Sequence, residues 1–178
     1  MKKNDENFRI VRSVRRLFVM TFMLAFMVPV VSNAQSGKVD FSGSWTLNAE
    51  KSIVGEGFGQ RMGGGNFVST QEANLLTVVR TRTNQNGETV TTTSKYSLDG
   101  KESINTSTRG ESKSVATWSA DGKALTIETS RTFDMNGESR TMKSSEVWTL
   151  TDAKTLSVQT SFTTPDGEQK STRVYDKQ

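Results

Sequence analysis

The chain contains no cysteine and no histidine. Without cysteine there is no disulfide, no thiolate nucleophile and no lipid-modified N-terminal cysteine. Without histidine, His-dependent triads, His-ligated zinc and the commonest general base are all excluded. A third absence is helical periodicity: no stretch carries apolar residues at the 3.6-residue spacing of an amphipathic helix. A fourth is net charge on most of the chain. Lys2, Lys3, Arg9, Arg12, Arg15 and Arg16, against Asp5 and Glu6, account for the whole formal +4. Residues 35–178 hold 17 basic and 17 acidic side chains, so no basic patch of the kind nucleic acid requires is expected.

The N-terminal charges precede a 15-residue apolar run, "LFVMTFMLAFMVPVV", from Leu17 to Val31, and then "SNA". A basic segment, a short apolar segment and a small-residue site together read as an export signal. The run is short for a spanning helix, which needs about 20 apolar residues, although an uncleaved anchor is the competing reading. The expected organisation is a signal peptide over 1–34 and a single domain over 35–178, located in the periplasm or outside the cell. That domain has no disulfides and must be held together by its core.

Ser and Thr supply 42 of residues 35–178, arranged as short Thr/Val/Ile/aromatic segments between turn dipeptides. The turns are Asn86-Gly87, Asp99-Gly100, Arg109-Gly110, Asp121-Gly122, Asn136-Gly137 and Asp166-Gly167, with a softer one at Asp152-Ala153. Asn-Gly and Asp-Gly between alternating segments mark tight hairpins, because these residues tolerate positive φ. The recurring "NGE" and "DGK" are repeated turn chemistry rather than duplicated units. Ten strand candidates follow, at 39–47, 66–72, 75–84, 89–98, 101–108, 111–119, 124–133, 139–150, 155–163 and 169–176. The fold class expected is all-β: an antiparallel up-and-down meander of about eight to ten strands closing into a barrel, since closure removes exposed edges.

Alternation assigns faces. Phe41, Gly43, Trp45 and Leu47 share one; Leu125, Ile127, Thr129, Arg131 and Phe133 share another; Met142, Ser144, Glu146, Trp148 and Leu150 a third. Arg131 and Glu146 do not suit a dense sandwich core, whereas a barrel with a partly wet interior accepts them. One segment, Asn48–Asn66, holds six glycines and no strand pattern. It is expected to be a loop over one barrel mouth, anchored by Phe58. A nucleotide-binding role lacks both the strand–loop–helix context and a "GKS" or "GKT".

At "FSGSWTLN" the chain resembles the opening strand of the calycins, the superfamily of lipocalins and fatty-acid-binding proteins, whose first strand carries Gly-x-Trp; here this is Gly43-Ser44-Trp45. "STRVYDK" is similar to the closing strand of the fatty-acid-binding proteins, whose Arg-x-Tyr pair holds a ligand carboxylate; Arg173 and Tyr175 match it. The resemblance implies that Gly43 and Trp45 help close the barrel, and that Arg173 and Tyr175 touch ligand, with Arg131 adding charge. A second role for Arg173 also follows from the resemblance. In lipocalins a late arginine lies across the Trp of Gly-x-Trp, which here would place Arg173 over Trp45. The chain departs from the fatty-acid-binding pattern in two places. A glycine-rich segment stands where that family has a helix pair, and a further interior arginine of that family would fall near Trp148.

The functional reading is a non-enzymatic binder of a small apolar, amphipathic or carboxylate ligand inside the barrel, with no metal and no cofactor. The alternative is a cell-envelope interaction module with a filled interior. An enzyme would have to rely on carboxylates such as Glu128 or Glu146, or on a Ser with a Lys base, and no motif supports either.

Overall fold

A computed structural model describes residues 37–54, 64–83, 87–107, 110–135, 138–164 and 167–178. They belong to the second of the two units into which the chain divides, Ala34–Gln178. The segment 1–34, Phe58 and the Asn136-Gly137 dipeptide lie outside the described residues, as do the other members of the glycine-rich stretch between 55 and 63.

Ten strands follow one another: β1 (Gly43–Val54), β2 (Phe67–Glu72), β3 (Leu75–Thr83), β4 (Thr89–Ser97), β5 (Glu102–Ser107), β6 (Gly110–Trp118), β7 (Ala124–Met135), β8 (Glu138–Asp152), β9 (Thr155–Thr164) and β10 (Gly167–Lys177). No helix occurs among the described residues. Every pairing is antiparallel, in the order β4-β3-β2-β1-β10-β9-β8-β7-β6-β5. Consecutive strands are neighbours throughout, except that β1 also pairs with β10 and that β4 and β5 share no backbone ladder. The result is an up-and-down, nearly closed barrel, the calycin-like architecture.

At the one remaining seam, side chains stand in for the ladder. The Asn105 carboxamide accepts from Lys95 N at 2.7 Å and donates to Lys95 O at 2.9 Å, and Ser103 Oγ accepts from Ser97 N at 2.7 Å. Both open edges are thereby partly satisfied without a strand-to-strand bond.

β1 is longer than its sequence pattern indicated. Asn48–Val54 is not loop; it continues the strand along β10 after a bulge, with Asn48 opposite Val174 and Ile53 opposite Thr172. Asn48 Nδ2 donates to Asp176 Oδ2, Ser52 Oγ donates to Asn48 O, and Val174 N donates to Ser52 Oγ. Side-chain bonds of this kind carry the backbone across a bulge that hydrophobic alternation cannot register.

The apolar core fills one end of the barrel. Phe41, Trp45, Phe67, Leu76, Leu125, Ile127, Trp148 and Leu156 are buried together there. Residues 37–42 cross that mouth as a strap. Val39 N bonds to Gly122 O in the β6–β7 turn, while Gln71 of β2 accepts from Phe41 N and donates to Val39 O. Phe41 thereby stacks on Trp118 and meets the edge of Trp148.

Trp45 is pinned from both sides. Its indole N–H reaches Phe41 O and Ser69 Oγ, each at 3.0 Å, and the Lys177 ammonium lies 5.4 Å from its ring centroid. Gly43 leaves room for that lysine, because a Cβ there would stand 2.5 Å from Lys177 Cε. The cation over Trp45 is therefore Lys177, at the end of β10, and not Arg173. The two are four residues apart on the same inward face, and only the later one reaches the level of Trp45, its pairing partner.

Asp99-Gly100 and Asp121-Gly122 form the same turn. In each, a preceding serine donates to Asp Oδ1 at 2.7 Å and the following lysine N donates to the same oxygen at 3.1 Å. Both glycines have positive φ, +81° and +70°. They differ in surroundings: a Cβ at Gly100 meets nothing within 4 Å, whereas one at Gly122 would stand 2.5 Å from Gly37 O. Gly100→Ala should thus cost only the left-handed strain, about 1–2 kcal/mol. Gly122→Ala should cost roughly 3 kcal/mol, since it also displaces the strap and its hydrogen bond. Equal losses in urea denaturation would show that the strap does not seal this mouth.

Candidate functional site

Away from the strap the inward-facing residues change character. On β3, Leu76 and Val78 give way to Arg80; on β8, Trp148 gives way to Glu146 and Ser144; on β10, Tyr175 gives way to Arg173 and Ser171. On β7, Leu125 and Ile127 give way to Thr129 and Arg131, and β6 contributes Ser112 and Ser114. Alternation places all of these on the barrel's inner face.

Phe67 is the hinge between the two halves. Its ring lies 5.4 Å from Trp148 and 4.9 Å from Tyr175, edge-on to the latter, and the Arg80 guanidinium sits 4.8 Å from its centroid. Arg80 Nη2 approaches Glu146 Oε2 at 3.9 Å, and that same oxygen accepts the Trp148 indole N–H at 3.0 Å. Burial opposes the charge on Arg80, but Glu146 and then the Tyr175 and Tyr96 phenols more than offset it, holding its pKa above the ordinary value. The Tyr175 hydroxyl lies within electrostatic reach of Arg80. Burial raises the Tyr175 pKa, against the lowering effect of Arg80 and Arg173. Burial, followed by Glu146, likewise raises that of Tyr96.

Of the residues the sequence singled out, Arg173 and Tyr175 are both buried on the inner face of β10, at 4 % and 1 % exposure. Arg173 Nη1 donates to Ser171 Oγ at 3.3 Å, and Gly64 packs beside its Nε. Arg131 is inward on β7, opposite Ser112 of β6 and Met142 of β8. It lies within electrostatic reach of Tyr96, and its Nε is buried without a hydrogen-bond partner among the described residues. Gly43 and Trp45 belong to the sealed end instead.

The residue that sequence reasoning missed is Arg80. Its signal was present, because in "LLTVVRTRT" it shares parity with Leu76 and Val78. Tyr96, inward on β4, was missed for the same reason. The position near Trp148, where the fatty-acid-binding pattern has an arginine, holds Glu146 and Trp148 in contact, and Arg80 and Arg131 bring guanidiniums from β3 and β7. Among the described residues no acidic group converges to hold a metal ion.

No protein-family model and no curated protein sequence matches the chain. Among solved structures, the fold is similar to that of a zebrafish ileal bile acid-binding protein in complex with cholic acid. The TM-score is 0.53 and the identity 18 %, over 78 % of this chain and 98 % of that one. At that identity the likeness establishes the calycin-like fold.

Tyr96 and Tyr175 are the only tyrosines in the chain, so a phenolate titration reports the site alone. Both pKa values are raised on folding. The folded state keeps these protons where the unfolded chain releases them, so this contribution to stability is intact below pH ~10 and declines as pH rises above it. Absorbance at 295 nm should show little phenolate until the alkaline unfolding transition, and Glu146→Gln should lower the Tyr96 midpoint. Two ordinary titrations near pH 10 would place these phenols in water.

Proposed function

We propose that this protein is an exported, non-enzymatic carrier that receives a small amphipathic ligand in the polar half of its barrel. The observation that carries this reading is the state of the Arg80–Glu146 pair. Both side chains point inward at the middle of the barrel, yet they remain 29 % and 31 % exposed. A filled core would leave neither any solvent. This exposure supports an interior partly open at this level, with aromatic surface from Phe67 and Tyr175 on one side and hydroxyls and guanidiniums on the other. That combination, an apolar wall with a few fixed polar groups, suits a ligand with one polar end. Arg173, Tyr175 and Arg131 are the proposed polar contacts, and the bile-acid complex of the fold neighbour supports an amphipathic carboxylate as the ligand type.

The chemistry of the site favours binding over turnover. The interior carboxylate is engaged by an indole N–H and a guanidinium, both phenols hold their protons more tightly than usual, and histidine and cysteine are absent. An envelope-interaction module would use the outer faces. Among the described residues the exposed large apolar side chains there, Ile53, Val68 and Ile104, lie on three different strands, β1, β2 and β5.

Native mass spectrometry of the protein purified from its own host tests both halves of the proposal. The expected species is a chain lacking residues 1–34 that carries a small molecule lost on collisional activation. An intact N-terminus would refute export. A ligand-free chain that also fails to take up added amphiphiles would refute the carrier reading.

A further inference from the structure

We propose that Gln35 is a modification site: on export it becomes the first residue and closes into a pyroglutamyl lactam, a blocked end that protects the strap across the sealed mouth. The inference rests on the export reading and goes beyond it to the chemistry of the new terminus.

The export signal ends in "SNA", and the next residue is Gln35. A glutamine at an N-terminus holds its nucleophile and its electrophile in one residue. The α-amine attacks the side-chain Cδ and a C–N bond forms. The bond from Cδ to its own nitrogen breaks, and that nitrogen leaves as ammonia. The product is a lactam ring with no α-ammonium. No oxidant, metal or other co-reactant is consumed. While Ala34 is still attached, residue 35 has no free amine, so cleavage at that bond is what starts the reaction.

The fold gives this terminus something to protect. The described residues begin at Gly37, which is exposed, and the strap follows at once. In the exported chain only Gln35, Ser36, Gly37 and Lys38 precede Val39, whose N–H bonds to Gly122 O at 3.0 Å. Two residues further on, Phe41 is fully buried, stacked on Trp118 and edge-on to Trp148, with both ring centroids at 5.8 Å. Its carbonyl accepts the Trp45 indole N–H. The seal is therefore made by the first residues an aminopeptidase would remove. Chain ends are where such trimming concentrates, and aminopeptidases require the free α-amine that the lactam lacks.

Intact-mass measurement of the protein purified from its own host reads the lactam directly. The expected mass is that of residues 35–178 less one ammonia. N-terminal sequencing should stay silent until a pyroglutamyl peptidase has removed the first residue. A free α-amine on Gln35 would overturn the proposal, as would a chain starting at another residue near the signal's end; both leave export standing. Retention of residues 1–34 would remove the export reading and this inference together.

Incubation with a broad-specificity aminopeptidase then tests the protective role. Wild type should stay full-length. Gln35→Ala, and wild type whose lactam has been removed enzymatically, should both be shortened past Phe41. The shortened chains should unfold at least about 5 °C lower, as expected for loss of a buried aromatic side chain. Unblocked chains that resist the enzyme as well as wild type does, or that lose Phe41 without a lower midpoint, would overturn this role.

Discussion

β1 hydrogen-bonds to β2 along one side and to β10 along the other, bringing Trp45 opposite Phe67 and Lys177, and Leu47 opposite Tyr175. This double pairing turns a meander of hairpins into a barrel and gives the chain an inside. Once the inside exists, the two-residue pleat sorts every strand into inward and outward positions. A one-residue slip of β10 against β1 would turn Arg173 and Tyr175 out to solvent and Val174 in. The bulge after Asn48 and its bonds to Val174 and Asp176 hold that register beyond the point where β1 leaves β2.

The inside is unequal from end to end. At the strapped mouth, aromatic residues from five places in the chain pack in series, Trp118 on Phe41, Phe41 on Trp148, Trp148 on Phe67, Phe67 on Tyr175. Without disulfides, this end must supply most of the stability, and burial of such rings is the largest favourable contribution available. The other half gives up core density. It places guanidiniums, a carboxylate and hydroxyls on inward positions, which is costly unless they bond to one another or to a guest. The proposed carrier role depends on this division between a densely packed end and a partly solvated half.

Much of this was legible from residues. Asp121-Gly122 marked the β6–β7 hairpin and Asp99-Gly100 the turn from β4 to β5, and the inward parity of Arg131 and Glu146 marked an interior that is not dense core. Gly-x-Trp and Arg-x-Tyr pointed to the calycin-like architecture. What escaped was whatever depended on non-local partners. Asn48–Val54 has no alternation because side-chain bonds to β10 hold it. Lys177 rather than Arg173 covers Trp45, because cross-strand register decides which cation reaches the ring. Arg80 was not singled out: it shares the parity of Leu76 and Val78, but nothing local shows that it faces Glu146 some 66 positions later.

The claim on which the account stands is that the barrel has one sealed end and one receptive half. The most direct measurement is a titration of isotopically labelled protein with decanoate, followed through backbone amide resonances. The account predicts saturable shifts concentrated on strand residues flanking Arg80, Arg131, Glu146 and Tyr175, with the amides of Ser119–Lys123 and the Val39–Phe41 strap unmoved. Shifts scattered over outward-facing positions, or centred on the strap, would contradict it.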